Sequence, residues 1–188
     1  MQLGGPTWSV SLGRRDSTTA SQSQANSDLP SPASSLSTLI AAFASKGLNA
    51  TDMTALSGAH TVGMAQCKTY RSRIYSDANI NKQFANTLKG NCSATPGGTD
   101  DTNLAGLDVQ TQVVFDNAYF GNLMKKKGLL HSDQELFNGG SQDALVQQYD
   151  ADPALFASHF VTAMIKMGNI GTLTGTAGQI RANCGRVN

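Results

Sequence analysis

The spacing of apolar residues along the 188-residue chain predicts a mainly α-helical fold. The clearest pattern is in the last helix, where Asp152 is the expected N-cap, Pro153 the first helical residue and Gly168 the end. Few segments alternate between apolar and polar residues, so we expect little β-structure. Other apolar sets at helical intervals occur over residues 36–43, 80–88, 119–124 and 145–149.

Local signals divide the chain further. Residues 17–34 are polar, rich in serine and closed by two prolines, which predicts an exposed loop. Thr51 is the expected N-cap of a short helix that leads up to His60. Residues 64–75 are expected to continue as helix, and the three lysines at 125–127 are expected in the last turn of another.

Composition excludes some classes of function. Charged residues make up 14% of the chain and the formal net charge is +1, so no electrostatic feature predicts a nucleic-acid partner or a membrane surface. No apolar run approaches the roughly 18 residues of a membrane span. The chain also contains neither a phosphate-binding P-loop nor a GxGxxG motif.

Cysteines and glycosylation signals indicate an oxidising compartment. Of Cys67, Cys92 and Cys184, two can pair and one is left over. The sequons that begin at Asn49 and Asn91 are usable only in a secretory compartment. Together these features favour a secreted protein.

Two short segments contain candidate site residues. In LSGAHTVGMAQC, residues 56–67, His60 lies at a predicted helix end, where a structural C-cap or core histidine competes with a ligand role. The second segment has the spacing Asp108-x-x-Thr111-x-x-Val114-x-Asp116. It offers carboxylates, a hydroxyl and a carbonyl, which are the hard oxygen donors that Ca²⁺ prefers. A turn-rich polar loop explains the same pattern.

Four blocks in the same order resemble the secreted plant haem peroxidases, the class III or horseradish-peroxidase-like family. They are LGGPTWSVSLGRRDS, LSGAHTVGMAQC, FDNAYFGNLMKKKGLLHSDQELF and MGNIGTLTGTAGQIRANCGRVN. The resemblance covers essentially the whole chain but only the C-terminal, proximal portion of the family's sequence. It implies a truncated haem-peroxidase fold, with residues 1–188 forming a single domain that is incomplete at its N-terminus.

The resemblance also implies a cofactor, haem b, with His60 as the axial ligand of its iron. In the family an aspartate in a Ser-Asp-Gln triplet accepts a hydrogen bond from that histidine, which fixes its tautomer and raises its basicity. Asp133 occupies the matching position in Ser132-Asp133-Gln134. Helix N-capping is the alternative role for Asp133.

Further family features match residue by residue. Thr61, Asp108, Thr111, Asp116 and the carbonyl of Val114 match a structural calcium site. Cys67 and Cys92 match a disulfide that would contribute very roughly 3 kcal/mol in the chain-entropy model.

Two further positions match the family pattern only in part. The family partner of Cys184 lies upstream, so this residue is expected to be unpaired or to join two chains. Pro30 begins a Pro-x-Pro segment that matches the docking site of aromatic donors, although Ala33 and Ser34 follow where the family often has aromatics.

The resemblance also implies a function. The family oxidises small phenolic donors by one-electron steps with H₂O₂, in the cell wall, another extracellular location or the vacuole. It does so with a distal histidine and arginine that match nothing in this chain, so whether the chain is an enzyme stays open. The alternatives are a truncated haem- and calcium-binding protein and a wall-associated interaction protein. Both lack peroxidase activity, and either could self-associate through Cys184 or the exposed haem-side surface.

Overall fold

The computed structural model describes residues 3–188, and its secondary structure is mainly helical, as predicted. Two short strands form an antiparallel pair, β1 Met64–Gln66 and β2 Leu104–Gly106, and 3-10 turns cover Gly58–Thr61, Thr99–Thr102 and Glu135–Phe137. The α-helices are α1 Gln22–Asp28, α2 Leu36–Ala44, α3 Ala50–Ser57, α4 Cys67–Ser76, α5 Lys82–Lys89, α6 Ala118–Met124, α7 His131–Gln134, α8 Asp143–Ala151 and α9 Pro153–Gly168.

Helix α9 begins as its sequence predicts, whereas the N-cap of α3 lies two residues before the predicted one. The Asp152 carboxylate accepts hydrogen bonds from the backbone N–H groups of Ala154 and Leu155. In α3 the N-cap is Asn49 and not Thr51, because Asn49 and Asp52 form a reciprocal capping box. The carboxylate of Asp52, the third residue of the helix, accepts from the Asn49 N–H, and this contact favours Asn49 over Thr51 as the N-cap.

Three other local predictions are wrong or incomplete. Residues 64–66 form β1 before α4 starts at Cys67, because they pair with β2, a strand that is distant in sequence. The predicted loop 17–34 is largely exposed but contains α1, whose N-cap is Ser21. The three lysines lie after the end of α6, where Lys126 has a positive φ of 58°.

The larger of two hydrophobic cores lies between α3, α6, α8 and α9. Its centre is aromatic: the ring of Phe120 packs edge-on against Phe156, with centroids 4.9 Å apart, and also contacts Tyr149. Met53 of α3 and Ala163 of α9 are fully buried in the same cluster. This core holds the C-terminal end of α3, where the 3-10 turn with His60 begins.

The smaller core lies on the other side of that turn. It contains Cys67, Tyr70 and Ile74 of α4 together with Cys92 and Leu129. The segment after Leu129 leads directly into α7, so this core fixes where Asp133 lies.

The two ends of the described chain are paired with each other. Backbone hydrogen bonds join Arg15 to Leu173 and Asp16 to Gln179. Near the start, Gly4 forms a parallel bridge with Phe115. Within residues 3–188 no helix is long and apolar enough to cross a membrane.

Candidate functional site: a histidine–aspartate pair beside an oxygen-rich loop

The 3-10 turn Gly58–Thr61 presents two neighbouring side chains in different directions. A Cβ atom added to Gly58 would lie 2.5 Å from the Phe156 ring and 2.8 Å from Phe120. Only glycine therefore lets the turn approach the aromatic core this closely. The turn directs His60 toward a cleft and Thr61 toward the loop that precedes α6.

The His60 imidazole is held by a buried carboxylate. Its Nδ1 lies 2.7 Å from Asp133 Oδ1, across 73 residues of sequence. The Tyr119 hydroxyl donates to the same Oδ1 at 3.0 Å, and the Leu130 N–H donates to Oδ2 at 2.9 Å. Asp133 thus holds His60 with one oxygen, and with the other it accepts from the N–H of Leu130, which is the N-cap of α7. Asp133 itself is the third residue of the helix and not its N-cap.

The surroundings of His60 favour the charged form of the imidazole and leave one of its ring nitrogens free. Burial lowers its pKa, but the charge of Asp133 and its hydrogen bond outweigh burial, so the pKa of His60 is raised above its ordinary value. The side chain remains 36% exposed. Because Nδ1 is hydrogen-bonded to Asp133, Nε2 is the ring nitrogen left free to bind a metal.

An apolar cleft of about 480 Å³ lies in front of His60. Pro30, Ser31 and Pro32 form one wall, and the N–H of Ser132 donates to the Pro32 carbonyl at 3.0 Å. The remaining wall is mostly apolar and includes Leu39, Phe43, Leu56, Leu130, Met164 and Met167. An apolar cleft with an imidazole among its lining side chains fits a planar, hydrophobic, iron-containing group such as haem.

On the other side of the turn, Thr61 meets the predicted oxygen-rich loop. Its buried hydroxyl lies 3.1 Å from Asp116 Oδ1 and 3.5 Å from the Val114 carbonyl oxygen. Backbone hydrogen bonds from Gly63 N–H to the Gln112 carbonyl and from Leu107 N–H to the Gly63 carbonyl fasten the loop beside the turn. Three of the five predicted calcium ligands are therefore in direct contact.

The other two predicted ligands lie at the start of the same loop. Asp108 is fully buried, and its Oδ1 accepts from the N–H groups of Gln110 and Thr111. Its Oδ2 and the Thr111 hydroxyl oxygen are both buried and find no hydrogen-bond partner within residues 3–188. Buried oxygens without donors are costly. Their chemistry fits a hard cation such as Ca²⁺.

The cysteines occupy two different settings. Cys67 and Cys92 form a disulfide with a Cα–Cα distance of 5.5 Å, inside the smaller core. Cys184 is exposed and unpaired within the described part of the chain.

Both sequon asparagines take part in local hydrogen bonds. The Asn49 side-chain oxygen caps α3 by accepting from Asp52 N–H at 2.8 Å. The Asn91 side-chain oxygen accepts from the Asn103 amide at 2.9 Å. In both cases the contact uses the oxygen, and glycan attachment uses the amide nitrogen.

Sequence reasoning missed Tyr119 as a member of the site. It was recognised only as an apolar marker of α6, because a buried tyrosine and a buried phenylalanine give the same helical periodicity. Its hydroxyl contact with Asp133 depends on how α6 and α7 pack and has no local sequence signal.

A histidine–carboxylate pair facing an apolar cleft, on a mainly helical scaffold, defines a class of protein that can hold a haem-like group. The peroxidase family model matches residues 1–152. Relatives include Peroxidase 2 of Oryza sativa subsp. indica, at 60% identity over 99% of this chain and 59% of the relative, and Peroxidase 70 of Zea mays, at 59% over 99% and 58%. Peroxidase P7 of Brassica rapa subsp. rapa is 53% identical over the whole chain and 63% of its own length.

The chain belongs to the peroxidase family, and its similarity to plant members extends over nearly its full length. It spans about three fifths of the length of these relatives.

Proposed function

We propose that the chain is the proximal, haem-binding portion of a plant peroxidase that oxidises small phenolic donors with H₂O₂ in one-electron steps. One observation carries the proposal: His60 Nδ1 is held 2.7 Å from a buried Asp133 while the rest of the ring faces an apolar cleft. In this proposal residues 1–188 belong to a single domain of which the chain supplies the proximal part. The coverage of about three fifths of the relatives supports this assignment.

The residues of the chain would prepare His60 as an axial ligand of haem b. Bound haem supplies a redox-active iron at which peroxide is reduced. Asp133 accepts from Nδ1, which keeps the proton there and leaves the Nε2 lone pair free to bind a metal. The carboxylate also increases the electron density that the imidazole donates, and Leu130 N–H keeps it in place.

The oxygen-rich loop would bind a structural calcium ion through Thr61, Asp108, Thr111, Asp116 and the Val114 carbonyl. The two unpartnered buried oxygens of Asp108 and Thr111 support this assignment. Because Thr61 directly follows His60, an ion at Thr61 would restrict the turn that carries the ligand. The ion would thus stabilise the histidine indirectly.

The remaining proposals concern donor, compartment and association. Pro30 lies in the wall of the cleft beside His60, where a small phenolic donor could reach the edge of the bound group. The disulfide and the sequons at Asn49 and Asn91 support a secreted glycoprotein of the cell wall, another extracellular location or the vacuole. Exposed Cys184 and the open apolar cleft offer two routes to self-association.

A second function is favoured by what lines the cleft. Within residues 3–188 no arginine and no histidine other than His60 contributes to its wall. Peroxide cleavage needs a base to move a proton and a cation to stabilise the departing hydroxide. Taken alone, the chain therefore also fits a haem- and calcium-binding or wall-associated interaction protein without peroxidase activity.

Reconstitution with hemin and Ca²⁺ distinguishes the two functions. The Soret spectrum reports ligation, and addition of H₂O₂ with a phenol reports turnover. Histidine ligation with turnover supports the peroxidase, and ligation without turnover supports the alternative. A spectrum that does not change between wild type and His60→Ala contradicts haem binding through His60 in either function.

A further inference from the structure

Tyr119 is a buried phenol attached to the same carboxylate oxygen as the candidate ligand. It lies on α6, is 1% exposed, and its hydroxyl is 3.0 Å from Asp133 Oδ1. His60 Nδ1 lies 2.7 Å from that oxygen. The rings of Tyr119 and His60 meet edge to face, with centroids 6.2 Å apart. Two donors from separate elements therefore converge on one oxygen atom.

The protonation state of Tyr119 makes it a donor. Burial, and after it the negative charge of Asp133, raise the pKa of Tyr119 well above its ordinary value. The phenol therefore carries its proton at neutral pH. Because a carboxylate has no proton to give, the hydrogen bond runs from Tyr119 to Asp133.

We propose that Tyr119 is a positioning residue that shares Asp133 Oδ1 with His60 and thereby limits how strongly the carboxylate polarises the His60 N–H bond. Hydrogen bonds to an ionised acceptor are strong, and each donor withdraws part of its charge. The hydroxyl of Tyr119 thus sets the basicity of the ligand from one step further away. Its effect on iron rests on the proposed function, whereas its effect on His60 exists in the chain without haem.

The geometry predicts the direction of the change when the hydroxyl is removed. Asp133 Oδ2 still accepts from Leu130 N–H at 2.9 Å, so the carboxylate stays anchored in Tyr119→Phe. The charge on Oδ1 then has His60 as its one remaining side-chain donor within residues 3–188. The His60 hydrogen bond becomes stronger, and the ring gains imidazolate character.

Tyr149→Phe is the matched control. Tyr149 is fully buried in the same aromatic core, but its hydroxyl bonds to Nδ1 of His159 at 2.8 Å. Both variants delete a single buried oxygen and keep the ring, so they impose a similar packing change. Tyr149→Phe should alter the signals of His159 and leave those of His60 unchanged.

The direct test is NMR of isotope-labelled histidine ring nitrogens in the haem-free chain, at an alkaline pH where the His60 signals no longer change. In Tyr119→Phe the His60 Nδ1 resonance should shift toward its imidazolate position, with no such shift in Tyr149→Phe. An unchanged His60 resonance, or a shift toward that of an unbonded imidazole, would overturn the proposal.

A second readout separates this inference from the function on which it rests. In the ferrous hemin complex, the iron–histidine stretching frequency should be higher in Tyr119→Phe than in wild type. If His60→Ala leaves the wild-type spectrum unchanged, the assignment of His60 as ligand fails, and the NMR result still decides the role of Tyr119. If His60 is the ligand and Tyr119→Phe leaves both the frequency and the NMR signals unchanged, the role of Tyr119 fails.

Discussion

The two sides of the Gly58–Thr61 turn differ in how far the buried carboxylate on each side is satisfied by hydrogen bonds. On the His60 side, three donors satisfy both oxygens of the buried Asp133 carboxylate. On the Thr61 side, Asp108 is buried equally deeply, yet its Oδ2 has no donor and no cation within 4 Å among the described residues. The first arrangement is complete without a ligand. The second leaves one carboxylate oxygen without a partner among the described residues.

The protein therefore forms the His60 side of the site by itself, while the Thr61 side is left incomplete. An isolated buried charge is expensive, and a satisfied one is costly to disrupt. The His60–Asp133 pair should therefore form in the chain alone, so that His60 is already oriented as a candidate ligand. The loop 108–116 should reach its most stable form only with a divalent cation.

Removal of Asp133 should have the largest effect. Asp133→Ala leaves the Tyr119 hydroxyl and the Leu130 N–H without an acceptor and removes the partner of His60. We expect a loss of about 3 kcal/mol in the free energy of unfolding, as for other broken buried pairs. Urea denaturation measures it, with Asp133→Asn as the milder control because the amide keeps one acceptor oxygen. A loss close to zero for the alanine variant would contradict the description of this pair as preorganised.

Calcium should produce the next largest effect, and it should act on the other side of the turn. At a free concentration about 100 times the Kd, the ion should raise the free energy of unfolding by about 2.7 kcal/mol through mass action. Thermal unfolding with Ca²⁺ and with a chelator measures this difference. Mg²⁺ is the control, because it demands smaller and more regular coordination. Equal melting temperatures in Ca²⁺ and in chelator would contradict calcium binding by the loop 108–116.

Neutralising the two buried aspartates should change stability in opposite directions. In chelator, Asp108→Asn removes a buried, unpaired charge and should stabilise the chain by about 1 kcal/mol, whereas Asp133→Asn should destabilise it. The Asp108→Asn variant should also lose its response to Ca²⁺. Destabilisation by both substitutions would mean that the two carboxylates do not differ as described.

The smallest predicted effect concerns pH. The pKa of folded His60 is raised above the ordinary value of 6.5, so the contribution of its charged form is complete below that pH and is lost as the pH rises through the folded pKa. His60→Asn keeps a donor near Asp133 but does not titrate. In chelator, the stability difference between wild type and His60→Asn should shrink from acidic to alkaline pH. A difference that grows with pH would reverse the sign of the pKa shift.

Sequence reasoning predicted the helical class because apolar periodicity is a local property of each segment. It singled out His60 as a candidate from its own segment but connected it to Asp133 only through the resemblance, since 73 residues separate them. The strand Met64–Gln66 was missed because its pairing partner lies some 40 residues away. Tyr119 was missed because nothing local distinguishes a tyrosine whose hydroxyl has a distant acceptor from one that fills a core.

His131 also shows that residues adjacent in sequence need not share a site. His131 is adjacent to the Ser-Asp-Gln triplet in sequence, but its Nδ1 lies 2.7 Å from Asp77, which also accepts from Arg73. Proximity along the chain therefore does not place it in the cleft. Its contact with Asp77, the residue that follows α4, was not predictable, because it depends on how the smaller core brings α4 and α7 together.

Haem binding through His60 can be tested directly with hemin. Hemin added to the chain should give a histidine-ligated Soret spectrum that is lost in His60→Gly and restored when free imidazole is added to that variant. His131→Asn, which alters a histidine outside the cleft, should bind hemin as the wild type does. A wild-type spectrum that persists in His60→Gly without imidazole, or disappears in His131→Asn, would contradict the assignment of His60 as the ligand.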